Sequence, residues 1–230
     1  YKQDDKLIEE IKINDNFEII DKPLILINTS GLEFYETRDT ETLSSFNVGE
    51  TIICKKIIDY LIEKLKVDTE DIGIITPYSA QVSSLGSKIP YEDYKGLEIS
   101  TVDGFQGREK EIIILSLVRS NQTHQVGFLS DKRRLNVAIT RPRRMLIVIG
   151  DIETITNDNE NKFLKNFGVY CEKNAHTICV IGGMMEYDEF EEFQGLCVEE
   201  KKRENEKIKE KNKKEEEKKE KKKDKKNNTK

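Results

Sequence analysis

Short apolar runs alternate with amphipathic stretches along most of this chain. Leu24-Ile25-Leu26-Ile27 predicts a buried strand, and Ile72 to Thr76 a second, stopped by Pro77. Glu98 to Val102, Glu111 to Val118 and Met145 to Ile149 predict three more. Between them lie helical patterns. From Gly49 to Leu65 the residues Ile52, Ile53, Ile57, Ile58, Leu61 and Leu65 recur near helical spacing. Ser79 to Lys88 predicts a short helix, as do Asp131 to Thr140, with Leu135, Val137 and Ala138 to pack, and Asn159 to Phe167. Strands that are apolar throughout and separated by helices imply an α/β fold, a parallel sheet covered on both faces. Ligands of such sheets bind at the carboxyl ends of the strands, which directs attention to the loops after Thr76, Val102 and Val118.

The pattern fades toward the carboxyl terminus. Residues 169–198 form a weakly defined extension, and 171–198 suggest no fold. From Glu199 onward Lys and Glu dominate, a composition that buries no core and serves a disordered or a solvated helical tail. The tail changes the reading of charge. The chain carries −5 overall, yet residues 199–230 hold 16 Lys/Arg against 10 Asp/Glu, a net +6, which leaves −11 on the first 198 residues. Bulk charge therefore does not announce a nucleic-acid binder, and any basic surface is local. The four cysteines, Cys54, Cys171, Cys179 and Cys197, form no C-x-x-C pair and suit reduced intracellular thiols. Cys171, His176 and Cys179 lie close in sequence, but their spacing fits no zinc motif, so no metal ligand is assigned. No apolar run approaches the roughly 18 residues of a membrane helix, so no membrane partner is expected. The chain shows no signal-peptide pattern and begins without Met at Tyr1. It reads as a piece of a longer intracellular protein, of cytoplasm or nucleus, with residues 1–21 as lead-in.

Three stretches carry chemistry. In Ser100-Thr101-Val102-Asp103-Gly104-Phe105-Gln106-Gly107-Arg108-Glu109-Lys110-Glu111, two glycines permit tight turns, and small hydroxyls meet exposed amides at a strand end. That arrangement suits contacts to a phosphate chain, while Gln106 and Glu109 add hydrogen bonding at the same loop. A plain polar loop has the same composition. In Arg133-Arg134-Leu135-Asn136-Val137-Ala138-Ile139-Thr140-Arg141-Pro142-Arg143-Arg144 the arginines outnumber nearby acids, and a planar guanidinium fork suits a polyphosphate. One of them could reach a γ-phosphate, or the group could be a basic patch for RNA or an acidic partner. In Ile72-Gly73-Ile74-Ile75-Thr76-Pro77-Tyr78-Ser79-Ala80-Gln81 a strand end presents Thr76, Pro77 and Tyr78, the last able to stack a base.

Taken in order, these stretches resemble the Upf-like branch of superfamily 1 helicases, which contains the nonsense-mediated-decay helicase and the immunoglobulin mu-binding helicase; the latter is the nearer in look. STVDGFQGREKEIIILSLVRSN resembles that family's motif V, VGFLSDKRRLNVAITRPRRMLIVIGD its motif VI with lead-in, and IGIITPYSAQ its motif IV. Asn47-Val48-Gly49-Glu50 falls where relatives open the first helix of the domain. The resemblance covers roughly residues 22–168 and implies the second RecA-like motor domain of a P-loop NTPase. It implies ATP and Mg²⁺ as cofactors, held mainly by a first RecA-like domain of the same protein, and single-stranded RNA or DNA as partner, unwound 5′-to-3′. It places Glu109 and Arg141 at the ATP pocket, with Arg141 reaching the γ-phosphate. Gln106 and Gly107 fall at the turn coupling nucleotide to strand, and Thr76, Ser100 and Thr101 on the nucleic-acid backbone. Arg134 and Asn136 match motif VI positions with supporting roles. Pro142 stands where relatives usually have Ala, and Pro disfavours helical geometry at Arg141 before it.

No G-x-x-x-x-G-K-S/T string occurs in the 230 residues, so the phosphate cradle is not here. Asp188-Glu189 is a poor Walker B pair, because it follows motif VI and lacks a clean preceding strand. The expectation is that this chain alone hydrolyses no ATP. The competing reading is a non-catalytic helicase-like module that grips nucleic acid or a partner.

Overall fold

The computed structural model describes residues 12–13, 22–158 and 160–181. The lead-in before residue 22 apart from residues 12–13, the Asp188-Glu189 pair, Cys197 and the Lys/Glu tail lie outside the described residues, as does the Cys179 side chain.

Every strand and helix expected from the pattern forms. In chain order the elements are β1 (Lys12–Ile13), β2 (Leu24–Asn28), β3 (Thr37–Arg38), β4 (Ser45–Phe46), α1 (Val48–Glu63), β5 (Ile72–Thr76) and α2 (Ser79–Lys88). Then come β6 (Glu98–Thr101), β7 (Lys110–Ser116), α3 (Lys132–Ile139), β8 (Pro142–Gly150), α4 (Ile152–Thr156), α5 (Lys162–Asn174) and β9 (His176–Ile181). The main sheet runs β1-β9-β2-β8-β7-β5-β6, parallel from β9 to β6, with β1 antiparallel on its edge. β3 and β4 make a separate small hairpin. Among the described residues no helix is long and apolar enough to cross a membrane.

The central strands β2, β5, β7 and β8 carry apolar runs because each feeds two cores. Ile25, Ile27, Ile72, Ile74, Ile112, Ile114, Ile147 and Ile149 face one side, where α1 packs Ile53, Ile57, Ile58 and Leu61 and α2 packs Leu85. Their alternates Leu26, Ile75, Ile113, Leu115 and Val148 face the other, under Leu135 and Ala138 of α3, Ile152 and Ile155 of α4, and Leu164 and Cys171 of α5.

Several features lie beyond the pattern, among them β1, the β3–β4 hairpin and the short helix α4. Helix α5 runs on past Phe167 to Asn174, and β9, within a stretch that suggested no fold, pairs with β2 from Ile25↔His176 to Asn28↔Cys179. The sheet therefore continues past residue 168.

Candidate functional site

The stretch after β6 is placed by topology. β6 and β7 both lie parallel to β5, with Thr101 opposite Thr76 at the carboxyl end and Ile112 opposite Ile72 at the amino end. Residues 102–109 must therefore run the length of the sheet along one face. Phe105 seats them: its ring is fully buried against Gly73 of β5, where a Cβ would stand 2.9 Å from Phe105 Cζ. At the upper end Thr101 Oγ1 accepts from Gly104 N (3.2 Å), and Thr101 O accepts from Phe105 N (3.0 Å). Gly104 is needed there, because a Cβ would meet Ser100 Oγ at 2.5 Å. Gly107 turns the chain at φ +80°, the left-handed region that glycine enters without strain. Arg108 pairs with Glu98 and donates to Gly104 O, bracing the turn.

Helix α3 descends beside this segment. Asp131 caps it, accepting from Arg133 N at 2.9 Å. Near its start Arg134 grips Asp103 with two donors, at 2.8 and 3.1 Å. Beyond its end Arg141 spreads its guanidinium over three acceptors: Val137 O (3.0 Å), Arg108 O (3.3 Å) and Thr140 Oγ1 (2.9 Å). Two clamps thus hold helix and segment together, one at each end. Pro142 does not misaim Arg141. The helix has already closed at Thr140, and Pro142 is the first residue of β8, a position where a missing N–H costs no ladder bond. Glu109 is exposed at the same lower corner and pairs with Arg143 at 2.5 Å. That hydrogen bond first, then the charge of Arg143, with Arg141 adding, holds its carboxyl below the usual range. Glu111 takes Arg143 (3.4 Å) and Arg144 (2.7 Å).

The site residues anticipated from sequence therefore fall into two groups. Glu109 and Arg141 meet at the amino ends of β7 and β8, not at a carboxyl end. Thr76, Pro77, Tyr78, Ser100 and Thr101 lie at the carboxyl ends of β5 and β6, and exposed Gln106 and Gly107 lie on the segment between. Two of these residues do not face solvent. Thr76 is 0% exposed, its hydroxyl accepting from Tyr78 N (3.4 Å). Tyr78 is 3% exposed, its hydroxyl donating to Val126 O (3.1 Å). For Tyr78 the reason is tertiary: residues 126–128 pack onto it. Tyr78 is no base-stacking surface, and the Thr76 side chain has no open face for a strand.

A buried polar cluster went unassigned in the sequence. Asn47 caps α1, its Oδ1 accepting from Glu50 N (3.1 Å). The pattern N-x-x-E is a capping-box signature, in which Glu50 would reach back to the Asn47 amide. Instead Gln81 Oε1 takes that amide at 2.8 Å, and Glu50 turns inward, 0% exposed. Glu50 Oε2 accepts from Ser116 Oγ (2.6 Å) and Val118 N (3.0 Å), while Oε1 has no hydrogen-bond partner among the described residues. Asn47 Nδ2 donates to Phe34 O (2.5 Å) and Val118 O (3.1 Å). Both peptide groups of Val118 are thus held, which keeps this β-branched residue at φ +72°, a conformation costing about 1–3 kcal/mol. Desolvation, reinforced by the charges of Asp151 and Glu36, pushes the Glu50 carboxyl up to about 8 against the lowering hydrogen bonds from Ser116 and Val118. A second cluster centres on Asp151, which accepts from Ser30 Oγ (2.8 Å), Ser120 Oγ (2.8 Å), Thr154 Oγ1 (2.7 Å) and Thr154 N (3.0 Å).

Cys171 is buried in the core, where burial pushes its thiol up to about 12, while His176 is exposed at the start of β9. Among the described residues no group of three or more His, Cys, Asp or Glu is placed to hold a metal ion.

The profile of the AAA-domain family matches residues 2–153. The DNA polymerase alpha-associated DNA helicase A of Saccharomyces cerevisiae is 52% identical over 157 residues, 66% of this chain and 22% of that protein. Its namesake in Schizosaccharomyces pombe is 37% identical over 187 residues, 79% of this chain and 28% of that protein. The DNA-binding protein SMUBP-2 of Rattus norvegicus is 43% identical over 148 residues, 64% of this chain and 14% of that protein. The chain spans less than a third of the length of each of these relatives.

Proposed function

The chain belongs to the AAA-domain family, in its Upf-like superfamily 1 helicase branch and as the C-terminal motor part, and we propose that it supplies the phosphate-sensing and strand-gripping half of an ATP-driven helicase. What supports this reading is the segment 102–109. It joins an exposed arginine–glutamate corner at one end of the sheet to a hydroxyl-bearing turn at the other, pinned to α3 at both ends.

The lower corner fits a nucleoside triphosphate. Arg141 uses three of the five donors of a guanidinium on protein acceptors, which fixes its plane and leaves one N–H on each terminal nitrogen for a phosphate oxygen. Glu109 is ionised and repels phosphate, so its partner is a hydroxyl or amine donor of the nucleotide. When bound, ATP supplies the free energy of γ-phosphate hydrolysis. Arg141 neutralises charge at the γ-phosphate as an arginine finger. The Mg²⁺ ligands and the P-loop lysine are assigned to a first RecA-like domain of the same protein, which closes on this one. At the upper end Ser100, Thr101 and the backbone of the Gly104 turn hold the phosphodiester chain of single-stranded RNA or DNA without reading its sequence. The polarity of unwinding is 5′-to-3′, read from duplexes carrying a single tail at one end or the other.

The test is phosphate release. The 230-residue chain alone releases none above background. Joined to its first motor domain it turns over ATP, and R141A lowers kcat on the order of 10³-fold or more with a smaller effect on KM. Turnover by the chain alone that R141A abolishes overturns the two-domain site. Full activity of R141A in the joined protein overturns the finger.

A further inference from the structure

The sequence offers Tyr78 as the base-stacking aromatic, and the fold buries it. The aromatic left in solvent at that edge is Phe128, which is 60% exposed although its neighbour Leu129 is buried. Phe128 lies in the turn Gly127–Ser130, directly before α3. Gly127 sets the turn at φ +53°, and a Cβ there would stand 2.7 Å from the Arg119 guanidinium and 3.1 Å from the Tyr78 hydroxyl. The ring of Phe128 is supported. It meets Tyr78 at 5.8 Å between centroids, tilted 52°, and Tyr78 is itself tied to Val126 O. The guanidinium of Arg134 lies 5.8 Å from the Phe128 centroid and is held there by Asp103, two residues after Thr101. An apolar ring held in water by a rigid mount gives up hydrophobic free energy that burial would recover.

We propose that Phe128 is a stacking platform for one base of a single strand whose backbone lies on the Ser100/Thr101 turn. The occupant follows from what surrounds the ring. A guanidinium flanks it, and Lys132 and Arg133 follow it in sequence. Arg133 is exposed and has no side-chain ion pair among the described residues, so it is available for a phosphate. Every base has an apolar π-face, so such a platform tolerates any sequence, as a motor on a strand requires. The proposal rests on the reading that this domain grips a strand.

The chain contains no tryptophan, so F128W installs a lone fluorescent reporter at the platform. Its emission is quenched by an oligouridylate or oligothymidylate and left unchanged by an abasic sugar–phosphate strand of equal length. F128A and F128L weaken strand affinity by about 5- to 150-fold, the loss of one stacked base, while F128Y keeps it. F128L retains an apolar cover over Tyr78, so its loss reports the π-face rather than folding, and melting temperatures check this directly. Unchanged affinity in F128A and F128L, or equal quenching by the abasic strand, overturns the platform and leaves strand gripping intact. Lost association with the first motor domain at unchanged strand affinity assigns the ring to a protein interface and overturns it too. If the wild-type chain binds neither oligonucleotide at low salt, the platform and the strand-gripping reading fall together.

Discussion

Glu50→Gln exchanges a fully buried carboxyl for an amide of the same shape. The amide oxygen can take the place of Oε2 and keep the bonds from Ser116 Oγ and Val118 N. What it removes is the ability to ionise. In the unfolded chain the carboxyl titrates near 4.5, and in the fold at about 8. Between those values the folded protein binds a proton that the unfolded chain has released. Stability from this group is therefore fully present below pH 4.5 and is lost as pH rises to 8. The slope is about 1.4 kcal/mol per pH unit, and the whole excursion about 5 kcal/mol. Other titrating groups contribute as well, so the informative quantity is a difference. Urea unfolding of wild type and E50Q, measured side by side from pH 5 to pH 8.5, gives two stability profiles whose gap isolates position 50. E50Q gains on wild type steadily with pH, the gap widening by several kcal/mol before it levels off above pH 8. A gap that stays flat across that range means that Glu50 is ionised in the fold throughout, and the account of its burial is then wrong.

Two further substitutions probe the scaffold. Gly73→Ala puts a methyl 2.9 Å from Phe105 Cζ and 3.0 Å from Ile113 Cδ1; overpacking of this kind costs about 1–3 kcal/mol, seen as a lower melting temperature. Because Phe105 seats the segment that ends in Thr101, strand affinity falls in the same variant. Asp151→Ala leaves the hydroxyls of Ser30, Ser120 and Thr154 without their shared acceptor. It destabilises the protein by roughly 3 kcal/mol in urea unfolding.

The central sheet was legible because its strands are apolar on both faces, and a run such as Ile72 to Thr76 has few other uses. β9 was not legible in a stretch of weaker pattern; among its described side chains Ile178 and Val180 enter the core. The helical pattern over Asn159 to Phe167 stops one residue short of Gly168. In the fold that glycine is an internal contact, where a Cβ would stand 2.8 Å from Thr156 Cγ2, so it marks close packing rather than an end. The exposure of Thr76 and Tyr78 could not be read locally at all. That of Tyr78 depends on a turn some fifty residues later that packs onto it. The burial of Glu50 was not legible either, since a glutamate three residues after an Asn cap has an ordinary surface role. Ser116 Oγ and Val118 N, brought to it by the fold, hold it inside.

The same limit explains the site. The strings around Glu109 and Arg141 single out candidate residues, but a string does not say which end of a sheet it reaches. A ligand at the carboxyl ends is the rule for open α/β sheets; Ser100 and Thr101 lie at such an end, while Glu109 and Arg141 do not. Eight residues cannot both cross the sheet and stay at its upper edge. Once β6 and β7 are parallel neighbours of β5, the segment between them must carry Glu109 to the opposite end. That requirement is what makes 102–109 a connection rather than a loop. Phe105 fixes its middle on Gly73, Arg134 fixes Asp103, and Arg141 fixes Arg108. A displacement of Arg141 removes a donor from Arg108 O, so that corner cannot move without loosening the segment that follows the Thr101 turn. Arg141→Lys offers a single charge without the fork and cannot hold Val137 O, Arg108 O and Thr140 Oγ1 together. It therefore weakens strand binding even with no nucleotide present, whereas a finger acting on phosphate alone would leave that binding unchanged.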